Sequence, residues 1–499
     1  MPARDRPVAL ESRADTGFKA RGVRGFLWTG GQTLVNQTLS LLGFVILARL
    51  LDPHDYGIAA TANVFVIVLS TLAAAGYSQT LVQKSEVDQR DYDTTFWIGL
   101  GTSSVLAVSL CIAAWPLADI YRQPQLRPVL QVLSVALVFV ALGSVPQAIL
   151  QRDLGFKVLA RVSMFANVAA TIVGISFAFL GFGVWSLIVQ TVLSLALSSA
   201  GATWRSGYRP GKQFDPTRFK GLFASSRHFM GVSLLSALNG RTDDFLIGAV
   251  LGPVALGIYS VAYRILTVLV EVFGTTIQRV AFPVFSRLQG DKQRLMTAYR
   301  SAVRMGALVG MPVFIFCLIA APEIVQVVFG PQWAKSVPVM RILCLFGAQQ
   351  VIFSYNGALM QAVGRARLVF RMGLASTLLQ VAAFAVAVPF GIKWVAASFV
   401  IRAYLTMPIW LSTVAKSIGT TVWATLRDIA GPIVSAAIML CTTFLAEPSL
   451  DGLSATIRLV LLGLIAASSY LAALLLCARS VVFEAISYAR VLAPSKSVA

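Results

Sequence analysis

Apolar runs of twenty or more residues recur along this sequence, from about residue 26 to residue 478. A helix of that length crosses the roughly 30 Å hydrocarbon core of a bilayer, and only helices or closed barrels satisfy their backbone hydrogen bonds inside lipid. The composition agrees, because 57% of the 499 residues are hydrophobic and 12% are charged, against about 25% charged in soluble domains. The chain is therefore predicted to be an all-α, polytopic membrane protein.

Fourteen membrane helices are predicted where apolar windows are bounded by glycine, proline or charged residues. Their approximate spans are 26–48, 57–82, 95–115, 128–150, 160–180, 183–203, 229–251, 256–280, 300–320, 337–361, 368–389, 392–412, 429–447 and 454–478. The predicted regions are a basic tail (1–25), an N-terminal six-helix bundle (26–203), a basic linker (204–228), a C-terminal six-helix bundle (229–412), helices 13 and 14 (413–478) and a C-terminal tail (479–499).

The basic residues are distributed unequally between the two sides of the predicted membrane. When a basic residue in the first four positions of a predicted helix is counted with the preceding connection, the N-terminal tail, every second connection and the C-terminal tail together hold 29 of the 41 Lys and Arg residues. The alternate connections then hold five and the helices seven. Lys and Arg accumulate in cytoplasmic loops, so both termini are predicted to be cytoplasmic. The net charge of +20 follows from this topology. Since the basic residues form no single patch, no nucleic-acid partner is predicted.

One hydrophobic turn occurs twice, as “LLDPHDYGIAATA” from Leu50 and as “VLGPVALGIYSVA” from Val250. The matched residues are Leu51, Pro53, Gly57, Ile58 and Ala62 with Leu251, Pro253, Gly257, Ile258 and Ala262. At an offset of 210, a second set pairs Pro128, Val129, Leu133, Gln151, Arg161 and Gly181 with Pro338, Val339, Leu343, Gln361, Arg371 and Gly391. Six helices return the chain to its starting side, so the halves are predicted to be a parallel repeat around a central cavity, related by an axis along the membrane normal.

Ionisable residues inside the predicted helices are concentrated in the second half. Each costs about 2.5–3.5 kcal/mol at a helix centre, so such residues are functional candidates by default. Apart from Arg279 and Arg458, which lie near helix ends, they are Arg241, Asp243, Asp244, Arg264, Glu271, Arg304, Arg341 and Arg402. The arginines outnumber the acids, so even full pairing leaves guanidinium groups for an anion, and the arginine fork suits phosphate. The predicted substrate-binding residues are these five arginines with Arg49, Gln32 and Asn36.

Helical spacing indicates where some polar residues point. Steps of three and four residues form one stripe in the eighth helix, Arg264, Thr267, Glu271, Thr275 and Gln278, and an uncharged stripe in the first, Thr29, Gln32, Thr33, Asn36 and Ser40. Polar stripes avoid lipid tails, so both are predicted to line the cavity or a helix contact. A parallel repeat of this kind is typical of transporters. A carboxyl group whose distance from Arg264 changes during transport could couple transport to the movement of protons. Glu271 is the predicted coupling residue, with Asp243 and Asp244 as alternates.

Structural pairing is the competing interpretation of these charges. Arg241 and Asp244 are three residues apart and could pair on their own helix, while Glu271 could form a static bridge to Arg264 or Arg304. Both arrangements would fix helix packing without contacting a substrate. The sequence leaves this choice open.

The sequence offers no catalytic constellation, and no enzyme is predicted. It contains no Ser/His/Asp set, phosphate-binding P-loop or HExxH pair, and the longest outer connections, 116–127 and 321–336, offer only Asp119 and Glu323 as acids. This disfavours a membrane glycosyltransferase or a polysaccharide polymerase, which need acid or base groups at a water-exposed site. The five cysteines and two histidines lack metal-ligand spacing, so neither a metal nor a cofactor is predicted.

Three segments carry a family resemblance: “LLDPHDYGIA”, “VLGPVALGIYSVAYR” and “VVFGPQWAKSVPVMRIL”. Together they resemble the Wzx-type oligosaccharide flippases, a polysaccharide-transport branch of the multidrug/oligosaccharidyl-lipid/polysaccharide exporter superfamily, over about residues 20–480. The resemblance implies movement of undecaprenyl-diphosphate-linked repeat units from the cytoplasmic to the periplasmic leaflet of the bacterial inner membrane, by alternating access. These units would supply O-antigen, capsule or exopolysaccharide assembly.

The resemblance also implies partners and an alternative. The partners are the lipid-linked oligosaccharide and membrane lipids, together with a polysaccharide polymerase and a chain-length regulator. The lipid II flippases are similar as well, and there a basic cavity meets the diphosphate. Here the arginines concentrate in the second bundle, and Arg49 is the nearest first-half candidate. The alternative is a small-molecule or multidrug exporter of the same superfamily, which would favour an acidic and aromatic cavity for cations.

Overall fold

The computed structural model describes residues 37–84, 87–211, 214–215, 233–234, 236–479 and 481–483. Over these ranges the chain is helical and contains no β-strand, as the apolar runs predicted. The longer helices are α1 (Gln37–Leu50), α2 (Pro53–Gln83), α3 (Gln89–Ile120), α4 (Leu126–Arg152), α5 (Phe156–Phe179), α6 (Trp185–Ser206), α7 (Thr242–Leu251), α8 (Pro253–Leu288), α9 (Lys292–Ile319), α10 (Val337–Phe353), α11 (Tyr355–Ala362), α12 (Ala366–Ala387), α13 (Ile392–Ile418), α14 (Val422–Ala446) and α15 (Ala455–Cys477).

Twelve helical segments in the described part of the chain are long and apolar enough to cross a membrane. They coincide with twelve of the fourteen predicted spans. The remaining two, 26–48 and 229–251, include residues outside the described ranges, so the count of fourteen stays a prediction. The N-terminal tail (1–25) also lies outside those ranges, as does most of the linker (204–228) and of the C-terminal tail.

Side-chain caps fix several helix starts. The Asp52 carboxylate accepts the backbone N–H of Asp55 at 2.8 Å, and Pro53 occupies the first turn of α2, where its missing N–H removes no hydrogen bond. At the start of α3, Asp88 and Asp91 form a reciprocal capping box. These polar residues lie at helix ends and so satisfy N–H groups that the helix itself leaves unpaired.

The predicted span 229–251 was wrong as one continuous helix. Residues 236–239 are helical, a turn follows at Gly240–Arg241, and α7 begins at Thr242. The Thr242 hydroxyl and the Arg241 N–H both donate to the Leu238 carbonyl, at 2.6 and 3.1 Å, so the interruption keeps its polar groups hydrogen-bonded. Interrupted helices in transporters commonly lie at substrate or ion sites.

The repeated turns contact each other in the folded chain. A Cβ on Gly57 would lie 1.8 Å from the Pro253 carbonyl oxygen, and one on Gly257 would lie 2.0 Å from that of Pro53. Each turn thus presents its glycine to the proline of the other, which is the reciprocal pattern of a two-fold contact. Since α2 and α8 both begin at this contact, the two helices enter the bundle from the same end. This is the arrangement expected of a parallel repeat.

The helices on either side of this contact pack mainly with their own neighbours. Helices α2 to α6 pack against one another, while α9 packs on α10 and α14 packs on both α9 and α15. The largest buried core combines the two groups, because it joins Tyr56 of α2 with Ile247, Tyr259 and Trp333. The domain boundaries themselves remain predictions.

The outer connection 321–336 is compact rather than an open loop. It comprises a short α-helix (Ala321–Ile324), one π-helical turn (Val325–Phe329) and a 3-10 helix (Pro331–Ser336). Arg458 of α15 pairs with the buried Glu323 at 2.8 Å and with Glu447 and Asp451 at 3.0 Å. The pair with Glu323 attaches the start of α15 to the connection, and the other two hold it to the segment between α14 and α15.

Candidate functional site

The polar stripe of α8 faces α1. The Arg264 Nη2 donates to the Ser40 hydroxyl at 2.7 Å, and its guanidinium lies 5.4 Å from the centre of the Phe44 ring. Further along α8, the carboxylate of Glu271 accepts a hydrogen bond from the Gln37 amide. These contacts join residues more than two hundred positions apart, so the seam lies between the first and second halves of the chain.

Several of the predicted stripe residues cannot be located on this seam. Gln32 and Asn36 lie outside the described residues, and so do the side chains of Thr275 and Gln278. Gln37 was missed in the sequence, although a signal was present, because it lies three residues before Ser40.

Arg241 lies near this seam but is paired. Its Nη1 donates to Asp244 at 2.9 Å, which is the pair that the three-residue spacing allowed. The neighbouring Asp243 is buried and accepts a hydrogen bond from the Tyr259 hydroxyl at 2.9 Å. Arg241 and Arg264 are close enough to repel each other electrostatically. The interruption before α7 therefore brings a second guanidinium toward Arg264, while Asp243 holds α7 on α8 and Asp244 pairs with Arg241.

Arg402 lies in a different place, inside the second half. Two adjoining cavities of about 310 and 440 Å³ share Phe346, Ser376, Arg402 and Trp410 in their walls. The Arg402 Nη1 donates to the Ser376 hydroxyl, and its guanidinium lies 5.5 Å from the Phe399 ring centre. We call these two cavities together the Arg402 pocket.

The other predicted arginines lie outside the Arg402 pocket. Arg49, exposed at the end of α1, donates to the carbonyls of Val327 and Val328, the latter at 3.0 Å. Arg341 is exposed on α10 and Arg304 is half-buried on α9. Neither lines the Arg402 pocket. A single cavity shared by all five intramembrane arginines therefore remains a prediction.

An aromatic cluster closes the end of the bundle that is predicted to face outward. Tyr56 makes edge-to-face contacts with Phe44 and Trp333, at centroid distances of 5.3 and 5.4 Å, and Phe44 contacts Phe329 at 5.9 Å. The fully buried Trp333 also donates its indole N–H to the Ala48 carbonyl at 2.8 Å, which satisfies a terminal acceptor of α1. With the Gly57–Pro253 and Gly257–Pro53 contacts, we call this cluster the outer closure.

One group of potential metal ligands occurs in the described residues. Asp52, His54 and Asp55 bring their ligand atoms within 4.8 Å of one another. Asp52 already serves as the N-cap of α2, and exposed acidic groups of this kind are common without a metal. We assign no metal to this cluster.

Comparison with known proteins gives consistent matches. A family profile described as polysaccharide biosynthesis protein matches residues 46–338. The lipopolysaccharide biosynthesis protein WzxC of Escherichia coli (strain K12) is 24% identical over 378 residues, covering 74% of this chain and 75% of that protein. The teichuronic acid biosynthesis protein TuaB of Bacillus subtilis (strain 168) is 27% identical over 354 residues, covering 69% and 72%.

Solved structures share the fold at lower identity. The lipid II flippase MurJ, in an inward closed conformation, superposes with a TM-score of 0.72 at 15% identity, covering 90% of this chain and 98% of that chain. An inward-facing multidrug resistance MATE transporter gives a TM-score of 0.60 at 18% identity, covering 77% and 96%. This chain therefore shares its fold with the lipid II flippase and with the MATE transporter.

Proposed function

The chain belongs to the family of polysaccharide biosynthesis proteins, and from that premise we propose that it is a lipid-linked oligosaccharide flippase. Its substrate is an undecaprenyl-diphosphate-linked repeat unit, which it moves from the cytoplasmic to the periplasmic leaflet of the bacterial inner membrane. The names of its relatives support this proposal, since they include a lipopolysaccharide protein and a succinoglycan biosynthesis transport protein of Rhizobium meliloti (strain 1021), the latter 28% identical over 300 residues.

The observation that carries the proposal is the cationic seam, which we define as Arg241 and Arg264 with Gln37 and Ser40 of α1. A saccharide headgroup cannot cross hydrocarbon unaided, so it needs a polar path through the protein. Arg264 places the phosphate-binding fork of arginine at the interface of the halves, and Arg241 brings a second guanidinium near it while paired with Asp244. Guanidinium groups bind the oxygens of a diphosphate but not a cationic drug, so the seam favours the flippase over the exporter.

The outer closure supports a mechanism by alternating access. With Gly57, Gly257, Tyr56 and Trp333 in contact, release toward the periplasm requires the halves to separate at that end. We assign the described conformation to loading from the cytoplasmic side, with both termini cytoplasmic. The released unit then passes to a polysaccharide polymerase and its chain-length regulator.

Reconstitution tests the proposal directly. Purified protein in liposomes should accelerate the transbilayer movement of a fluorescent undecaprenyl-diphosphate oligosaccharide at least tenfold over protein-free liposomes. The matched control lipid carries the same saccharide on an uncharged linker and should move at the protein-free rate, because it lacks the anion that the seam binds. Equal movement of both lipids, or export of a cationic dye in place of either, would contradict the proposal.

We further propose that Glu271 couples transport to protons, because it is the carboxylate that contacts α1 across the moving interface. Asp243 and Asp244 are held by Tyr259 and Arg241 within one half, so their surroundings change less when the halves separate. The variant Glu271→Gln keeps the side-chain shape and can still bond the Gln37 amide, but it cannot take up a proton.

The expected result for Glu271→Gln is a several-fold slower transport rate that no longer responds to a proton gradient. Flipping is measured in proteoliposomes at two external pH values, with and without a proton ionophore. Arg367→Gln, at an exposed position on α12, should behave as the native protein. A native rate with a native response to pH and ionophore would show that Glu271 only fixes packing.

A further inference from the structure

The Arg402 pocket has the dimensions of a binding site for a small ligand. Its two adjoining parts measure about 310 and 440 Å³, and ligand sites are commonly about 300–1,000 Å³. The walls are formed by α10, α12 and α13, together with α11 on one side and with Asn239 and Tyr263 on the other. The pocket thus lies within the second half and is distinct from the cationic seam.

Arg402 is the one charged side chain that lines the pocket among the described residues. Its Nη1 is occupied by Ser376, but its Nε is buried and has no hydrogen-bond partner in the described part of the chain. No described carboxylate pairs with it. A half-buried guanidinium without a counter-ion is unfavourable unless an anion completes the site. The Nε edge of arginine is one of the two that bind a carboxylate through parallel hydrogen bonds.

Two amide side chains in the same walls also lack partners. Gln380 is 3% exposed, and neither its amide nitrogen nor its oxygen has a hydrogen-bond partner among the described residues. The buried Gln349 oxygen is unpartnered in the same way. Buried polar groups are almost always hydrogen-bonded, so these amides indicate a ligand that both donates and accepts. Sugar hydroxyl groups do both.

Aromatic rings form the remaining surface. Phe346 and Phe399 contact each other at 4.3 Å between ring centres, and Trp410 and Tyr263 extend the aromatic wall. The face of an aromatic ring carries partial negative charge and attracts polarised C–H groups, such as those on one face of a pyranose. Aromatic faces, amides and one arginine together suit a sugar that carries a single carboxylate. A diphosphate would need more than one cation.

We propose that the Arg402 pocket binds a hexuronate residue of the transported saccharide, with Arg402 on the carboxylate and Gln380 and Gln349 on the ring hydroxyls. The proposal rests on the flippase function, and it makes this pocket the site that recognises acidic glycans. The diphosphate is then bound at the cationic seam and the glycan inside the second half.

Binding of simple glycosides to the purified full-length protein tests this assignment without transport. Methyl glucuronide and methyl glucoside differ at one carboxylate, and saturation-transfer NMR measures the affinity of each. The native protein should bind the glucuronide at least tenfold more tightly. Arg402→Gln should abolish that preference, Arg402→Lys should keep part of it, and Gln380→Leu should weaken both ligands. Arg367→Gln, outside the pocket on the same helix as Gln380, should match the native protein.

Equal affinity for the two glycosides, no binding of either, or an unchanged preference in Arg402→Gln would overturn the assignment. Inorganic phosphate is the second probe. If it displaces the glucuronide at equal concentration, the pocket binds anions in general, and the sugar assignment is also wrong. The two proposals can fail separately. Reconstituted protein that binds glucuronide but moves no lipid would contradict the flippase proposal, whereas protein that moves lipid without this preference would contradict only the hexuronate assignment.

Discussion

Replacing both Gly57 and Gly257 by alanine is expected to separate the outer closure and to reduce transport by more than tenfold. The new methyl groups would lie 1.8 and 2.0 Å from the carbonyl oxygens of Pro253 and Pro53. A backbone oxygen cannot rotate away as a side chain can, so the starts of α2 and α8 must move apart. Each overpacked contact costs about 1–3 kcal/mol, and about 1.4 kcal/mol changes an equilibrium tenfold. The cost falls on the closed state, because only that state contains the contact.

Hydrogen–deuterium exchange and flipping in proteoliposomes measure the two parts of this expectation. Exchange should rise in peptides covering 53–62 and 253–262, and the rate of flipping should fall because alternating access needs both states. Gly101→Ala on α3 is the matched control, since a Cβ there meets nothing within 4 Å. The single variants should resemble the double variant, because both glycines act on one contact. If the double variant has native exchange and native transport, the starts of α2 and α8 do not form the close contact that the outer closure requires.

Replacing Arg264 by alanine is expected to lower transport about 100-fold, with lysine intermediate at about tenfold. Hydrogen bonds to charged groups contribute about 1.5–3 kcal/mol, and the alanine variant loses them all. Lysine keeps the charge but loses the planar fork that holds two phosphate oxygens. The loss should appear mainly in the affinity for the diphosphate-linked lipid.

Ser40→Ala separates substrate binding from packing at this position. It removes the hydrogen-bond partner of Arg264 on α1 but leaves the guanidinium in place. If Arg264 binds the diphosphate, Ser40→Ala should lower flipping only a few-fold and should preserve the preference for the charged linker. If Ser40→Ala reproduces the full loss of Arg264→Ala, the arginine serves the α1–α8 contact and the seam does not bind substrate.

Local sequence features determined the class of fold and the positions of most helices. Apolar length predicts a membrane span because the bilayer imposes the same requirement on any chain, and the described helices follow those runs. The repeat of the turns that begin at Leu50 and Val250 was also detectable in the sequence, because matching residues can be compared without tertiary information. The pairing of Arg241 with Asp244 could also be anticipated from the sequence, because helical spacing places residues three apart on one face.

The interruption before α7 was missed in the sequence, although Asn239 and Gly240 form an Asn-Gly pair, which is a turn signal. The sequence assigned no separate role to Trp333, although its indole N–H donates to the Ala48 carbonyl at the outer end of α1. The Ala48 carbonyl that accepts this hydrogen bond lies on a distant segment that only packing brings near.

The distribution of the arginines was decided by tertiary structure alone. Spacing along a helix says which residues share a face, but it does not say which helix that face meets. Arg264 faces α1, Arg402 faces a pocket within its own half, and Arg49 binds the carbonyls of the outer connection. From the sequence these arginines look equivalent, because they are like residues in like helices, and their sharing of one cavity stays a prediction. Packing decides the described contacts, because each helix turns its polar face toward a different neighbour.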